Sequence, residues 1–324
     1  MEPVVKGSEA QSLVEDRQGA RPQRAPQVRP RSRPLRQAPP RSAHTARAAG
    51  PGTAPQRIEA LDGLRAASIL IVLLGHAARG REAPGWLSPF RDLGILGVYL
   101  FFTISGFIIT LLMLRERQRR GSISLSAFWQ RRAWRILPPF AAACAGIALA
   151  AALGLMHWHW QSFLGALSFT KNTTLFQGDW FFGHFWSLSM EEQFYWMWPL
   201  MLLFLLRSRW YASLAGLIIA LPLIRVASYF LFPGLRGQVM MMLHTGSDAI
   251  FCGCLLAICL ARYPQVSKKL RLSPLAVAWL ALYIYGIDPL VSYVMPRGYG
   301  IVLGTTLMVG AITLVIANVL LQDG

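Results

Sequence analysis

Eight apolar runs separated by short polar segments constrain this chain more than anything else in it. They lie at roughly residues 62–79, 93–114, 133–155, 186–206, 211–231, 244–261, 272–292 and 299–320. At ~1.5 Å of rise per residue, each can cross the ~30 Å hydrocarbon layer of a bilayer as a helix. Lipid offers no hydrogen bonds, so a spanning segment must satisfy its own backbone. The pattern therefore predicts an all-α, polytopic transmembrane helix bundle of about eight spans. Only 15% of the 324 residues are charged and 54% are hydrophobic. Soluble domains carry about 25% charge, so a set of soluble domains is excluded.

The net charge of +17 is concentrated. Ahead of residue 61 stand ten Arg and one Lys against five acidic residues, among Pro, Ala, Gln and Gly. Such a stretch cannot bury enough apolar surface to fold, so residues 1–56 are expected to be a disordered basic cytoplasmic tail and 57–324 the membrane domain. The tail has no apolar core, which excludes a signal peptide. It is expected to lie over anionic lipid, and no module for nucleic acid accompanies it. Cys144, Cys252, Cys254 and Cys259 all fall within apolar runs and read as small core residues, with no disulfide framework or zinc site.

Loop charge predicts the topology. Arg115, Arg117, Arg119, Arg120, Arg131, Arg132 and Arg135 cluster after the second run. Arg207 and Arg209 follow the fourth, and Arg262, Lys268, Lys269 and Arg271 follow the sixth. The long segment 156–185 carries only Lys171 and Asp179 besides its histidines. By the positive-inside rule, the N-terminus and loop 115–135 are cytoplasmic and 156–185 faces outside. Arg79, Arg81 and Arg91 oppose this and are outnumbered.

The first run, LDGLRAASILIVLLGH, contains Arg65 and His76. Ionisable groups at bilayer depth are expensive and point to function. Eleven residues are about three helical turns, so both face one way, roughly 16 Å apart along the axis. The helix thus carries a cation toward the cytoplasm and an acid/base group toward the outside. That suits an enzyme whose two substrates arrive from opposite sides. The structural alternative is a snorkelling Arg and a satisfied core His. Glu191, entering from outside in WSLSMEEQFYWMWP, is expected at a depth similar to His76.

Four blocks occur in order: Arg65-x10-His76, GILGVYLFFTISGFIIT at 94–110, RRAWRILP at 131–138, and WSLSMEEQFYWMWP at 186–199. Together they resemble the membrane-bound acyltransferase-3 family, O-acetyltransferases that modify surface polysaccharides and related acceptors. The resemblance implies an enzyme of the inner (plasma) membrane with no permanently bound cofactor and no metal. It implies an acyl-CoA donor, usually acetyl-CoA, from the cytoplasm, and a hydroxyl of a glycan or lipid-linked glycan as acceptor.

It implies that His76 is catalytic and that Arg65 is required. Histidine suits a general base near neutral pH, and a carboxylate such as Glu191 can fix its tautomer. Arg132 and Arg135, three apart, share a face and match the family's RxxR, where guanidinium forks can grip CoA phosphates. His184, Asp248 and Ser105 are secondary candidates. Ser105 and Gly106 either allow close helix packing or open room for a substrate chain. His157 and His159 read as interfacial.

The family's late block, of the form LGxxSYxxYLxH, is absent, and eight runs stand where about ten are usual. The expectation is a shortened member, a truncated product or a fragment. Two other classes compete: a transporter or flippase with an intramembrane Arg/His/Glu path, and an inactive scaffold. A transporter predicts an inverted repeat with broken helices in matching halves, and the sequence has neither.

Overall fold

The computed structural model describes residues 59–322 except 81, 174–179, 209–210, 264, 266–269 and 296–297. The basic segment 1–56 lies outside the described residues, as do Arg81, Asp179, Arg209, Lys268 and Lys269. Every regular element among the described residues is helical. The helices are α1 Glu59–Ala78, α2 Leu93–Arg120, α3 Leu125–Ala152, α4 Trp160–Leu167, α5 Trp180–Gly183, α6 Phe185–Ser208, α7 Tyr211–Leu231, α8 Leu243–Gly246, α9 Asp248–Arg262, α10 Pro274–Leu282, α11 Asp288–Val294 and α12 Thr305–Gln322. One turn of π-helix, Tyr283–Ile287, joins α10 to α11, and another, Gly300–Gly304, leads into α12.

The eight apolar runs correspond to eight helical rods: α1, α2, α3, α6, α7, α8–α9, α10–α11 and α12. Six are long and apolar enough on their own to cross a membrane, so the protein is a multi-pass membrane protein. The other two differ for physical reasons. The 24-residue α6 carries Glu191, Glu192 and Arg207 within its length. The 15-residue α9 rises only about 22 Å, because Ser247 interrupts the helix between α8 and α9. The third rod starts earlier than its apolar run, at Leu125. Ser124 caps it by accepting a hydrogen bond from the Ala127 amide at 3.4 Å, and this draws the basic run into the helix.

Helix α2 is the axis. Within its most apolar 18-residue window 61% of residues are buried, against 11% in α3 and 6% in α10–α11. It packs most extensively on α9 and α1. The contact is made by glycine. A Cβ at Gly106 would overlap the Ile250 carbonyl oxygen, and one at Gly253 would overlap that of Thr103. On the α1 side, a Cβ at Gly97 would stand 2.7 Å from the Ser68 carbonyl oxygen, and one at Gly75 2.6 Å from the Gly94 Cα. Lipid gives helices little hydrophobic reason to associate, so close backbone approach through small residues supplies the packing. Gly106 is therefore a packing residue and opens no room for substrate.

A second tie is ionic. Arg225, wholly buried in the middle of α7, donates to Asp248 Oδ2 at 2.8 Å, to the Thr245 carbonyl at 3.0 Å, to the Ile301 carbonyl at 2.9 Å and to Thr306 Oγ1 at 2.8 Å. One guanidinium thus joins α7, α8, α9 and the start of α12. Removing one partner of such a buried pair typically costs ~3–5 kcal/mol.

Overpacking at a glycine contact typically costs ~1–3 kcal/mol. Gly106→Ala should therefore lower the thermal midpoint of the purified protein by several degrees. Gly216→Ala, where a Cβ would meet nothing within 4 Å, should not. Equal midpoints for both variants would show that the α2–α9 approach is looser than described.

Candidate active site

A cavity of about 320 Å³ lies between α1, α2, α3 and α6. Its polar lining comes from five places: Arg65 on α1, Ser105 on α2, Arg132 and Arg135 on α3, His184 just ahead of α6, and Glu191 and Tyr195 on α6. Phe101, Ile108 and Leu188 are among its apolar walls. The spacing follows from helix geometry. Arg132 and Arg135 are three residues apart and Glu191 and Tyr195 four, so each pair shares a face. Gly106 is committed to α9, and Ser105, about 100° around α2, is turned into the cavity.

The arginines gather at one end. Arg132 lies between two rings, its guanidinium carbon 5.6 Å from the Phe128 centroid and 5.5 Å from that of Tyr195. Such aromatic contacts hold a cation without consuming its in-plane donors. Arg65 sits 5.9 Å from the Phe101 centroid and 3.9 Å from Asp62, in electrostatic range of Arg135 and Glu191. Glu191 is 93% buried by complement of its 7% exposure, beside the Ser105 and Tyr195 hydroxyls and near Arg132. Its Oε1 has no hydrogen-bond partner among the described residues. Three guanidiniums and one buried carboxylate with an unused acceptor thus share a single chamber, whose balance favours an anionic guest.

Two networks hold these groups in place. At the α2–α3 turn, Glu116 accepts from Arg131 at 3.2 Å and from the Ser124 amide at 3.2 Å, and pairs with Arg120 at 3.8 Å. That holds Arg131 on Glu116, while its neighbour Arg132 lines the cavity. Trp129 Nε1 donates to the Tyr195 carbonyl at 3.0 Å and ties α3 to α6. On the far side, Asn172 and Gln193 exchange amide hydrogen bonds of 3.0 and 2.9 Å. Lys171 Nζ donates to Ser162 at 3.1 Å, and the Lys171 amide donates to Ser189 at 3.2 Å. Lys171 and Asn172 are buried, and these bonds fasten the segment before α5 to Ser162 of α4 and to the face of α6 opposite Glu191. Sequence reasoning assigned neither residue a place. The available signal was two strongly polar side chains in a segment otherwise nearly without charge.

His76 is exposed near the end of α1 and is not among the residues lining the cavity. Its Nδ1 bonds the Val72 carbonyl at 2.8 Å. A carbonyl only accepts, so Nδ1 is the donor in this bond. The tautomer is therefore set by the helix backbone, whereas the sequence assigned that task to Glu191. Glu191 is grouped with the arginines in the cavity, which His76 does not line. The titratable neighbour of His76 is His184, whose ring lies against Phe185 with centroids 4.4 Å apart. Enclosure of that ring and the proximity of His76 lower the pKa of His184 below the usual histidine value. Asp248 is engaged by Arg225 and does not line the cavity. Among the described residues, no group of three His, Cys, Asp or Glu side chains is placed to hold a metal ion.

Comparison with known proteins points the same way. A family described as "Acyltransferase domain" matches residues 58–323. O-acetyltransferase OatA of Staphylococcus aureus (strain NCTC 8325 / PS 47) is 28% identical over 245 residues, which cover 68% of this chain and 38% of OatA. A second S. aureus protein (strain COL), provisionally named an O-acetyltransferase, is 34% identical over 167 residues, 46% of this chain and 25% of its own length. The chain thus spans well under half the length of these curated relatives. No solved structure matches it.

The Glu116 network predicts a positioning effect. Glu116→Gln releases Arg131 and Arg120 and loosens the start of α3. In an acyl-transfer assay with acyl-CoA offered as the probe donor, it should raise the KM several-fold with kcat little changed, and Glu116→Asp should restore part of the loss. An unchanged KM in Glu116→Gln would show that the turn does not set Arg132 and Arg135.

Proposed function

The chain belongs to the membrane acyltransferase-3 family, and we propose that it is an O-acyltransferase that moves an acyl group, acetyl in the first instance, from cytoplasmic acyl-CoA to a hydroxyl of a cell-surface or lipid-linked glycan. The observation that carries this reading is the convergence of Arg65, Arg132 and Arg135 with a buried Glu191 in one cavity, with His184 at its margin and His76 beyond. S. aureus OatA is named as an O-acetyltransferase, and this supports the acetyl donor and the oxygen acceptor.

The roles follow from the chemistry of each group. Arg132 and Arg135 hold the phosphates of the donor, with Arg65 opposite them across the cavity. Apolar walls at Phe101, Ile108 and Leu188 hold the uncharged arm. His76 Nε2 takes the proton of the acceptor hydroxyl. The oxygen attacks the thioester carbon, the C–S bond breaks, and the CoA thiolate leaves with the proton returned by the imidazolium. Glu191 counters the guanidinium charge and holds the Ser105 and Tyr195 hydroxyls at the donor end. His184 tunes the charge around His76. The basic turn 115–135 faces the cytoplasm, which places the phosphate grip on the side where acyl-CoA is made.

Charge-assisted contacts to phosphate are worth roughly 1.5–3 kcal/mol each, about ten- to a hundredfold in affinity. The Arg132→Ala/Arg135→Ala variant should therefore lose acyl-CoA binding in calorimetry on the detergent-solubilised protein. His76→Ala should bind the donor normally but lose ~10²–10⁴ in transfer rate. Glu191→Gln removes a negative charge from the arginine chamber, so donor affinity should hold or rise while transfer falls. Near wild-type transfer by a well-expressed His76→Ala protein would falsify the chemistry and favour a transport or scaffold role. Orientation is tested separately, with single cysteines at the exposed positions 120 and 157 in a cysteine-free background. Labelling of 157 but not 120 by an impermeant thiol reagent in intact cells is expected, and the reverse would invert the topology.

A further inference from the structure

A second cavity, of about 340 Å³, lies at the C-terminal ends of α2, α6 and α9. It is lined by Arg117 and Gln118 from the last turn of α2, Arg262 from the last residue of α9, and Leu114, Leu206 and Ile258 beneath them. None of these residues lines the acyl-transfer cavity, and among the described residues no carboxylate lines the second one. The nearest acid in sequence, Glu116, is taken up by Arg131, Arg120 and the Ser124 amide.

We propose that this cavity is a binding site for the phosphate of an anionic phospholipid headgroup. Two guanidiniums from different helices converge on one space, and guanidinium forks match phosphate oxygens in geometry and charge. Gln118 adds a neutral donor. Three helix C-termini meet here, and their carbonyl ends repel an anion, so binding depends on the two arginines. The floor distinguishes the source of the phosphate. Leu114, Leu206 and Ile258 offer a surface for glycerol and the first acyl methylenes, which a free inorganic phosphate lacks. Arg117 and Gln118 stand in the last turn of α2, next to the basic α2–α3 turn that the proposed topology puts at the cytoplasmic headgroup level. A lipid held there would bridge the ends of three helices.

The test uses the full chain purified in neutral detergent and titrated with phosphatidylglycerol or phosphatidylcholine, with retained lipid counted by native mass spectrometry. The intact protein should retain phosphatidylglycerol about tenfold better than phosphatidylcholine. Arg117→Gln and Arg117→Gln/Arg262→Gln should each reduce that preference, the double variant abolishing it. Arg119→Gln, an exposed neighbour outside the cavity, should keep it. Equal retention of the two lipids by the intact protein, or an undiminished preference in the double variant, would overturn the proposal. Displacement of phosphatidylglycerol by millimolar inorganic phosphate would assign the anion to the solvent and overturn the lipid source. None of these outcomes bears on the acyl-transfer cavity.

Discussion

The close approach of α2 to α9 on one side and α1 on the other is the constraint on which the rest of the structure depends. Carbonyl oxygens of Ile250 and Thr103 occupy the space where Gly106 and Gly253 lack a side chain. With α2 held this tightly, neighbouring residues on the same helix have no freedom over which way they face. Ser105 is turned into the cavity because Gly106 is locked against α9. Phe101 and Ile108, one turn away on either side, follow it. The cavity is thus a consequence of backbone packing in lipid, and its shape is set by residues that never touch a substrate.

Charge inside this bundle is distributed by the same logic. A cation at bilayer depth needs protein partners, and the molecule supplies them in two ways. Arg225 makes four hydrogen bonds, to two carbonyls, a hydroxyl and Asp248, which makes it a joint between helices. Arg65 and Arg132 rest on aromatic faces and keep donors directed into space. The first arrangement is structural and the second is ready for a ligand. Asp248 and Glu191 differ in their surroundings: each keeps one oxygen without a hydrogen-bond partner among the described residues, but Asp248 is paired with Arg225 away from the chamber and Glu191 lines it.

Much of this was legible in the sequence. Apolar run length gave the eight rods, since a helix in lipid needs that many residues and little else. The ordered blocks contain Arg65, Ser105, Arg132, Arg135 and Glu191, and these line one cavity together with His184, a secondary candidate just ahead of the last block. What was not legible has identifiable causes. Arg225 stands inside an apolar run and satisfied the rule that flags Arg65, yet its partners lie 20 to 81 residues away in sequence and no periodicity announces them. The hydrogen bonds by which Lys171 and Asn172 fasten their segment to α4 and α6 join residues 9 to 21 apart in sequence, and no residue pattern announces them. The tautomer of His76 depends on a carbonyl four residues back, a backbone contact invisible to residue types.

The account stands on the claim that the acyl donor enters the chamber bounded by α1, α2, α3 and α6 from its arginine end. Photocrosslinking with an acyl-CoA that carries a photoreactive group in its acyl chain, followed by peptide mapping, tests it most directly. The account predicts adducts on the α2 segment from Phe101 to Ile109 and on α6 near Leu188, competed away by unlabelled acyl-CoA. Competable adducts confined to the ends of α2 and α9 around Arg117 and Arg262, or to none of the chamber walls, would contradict it.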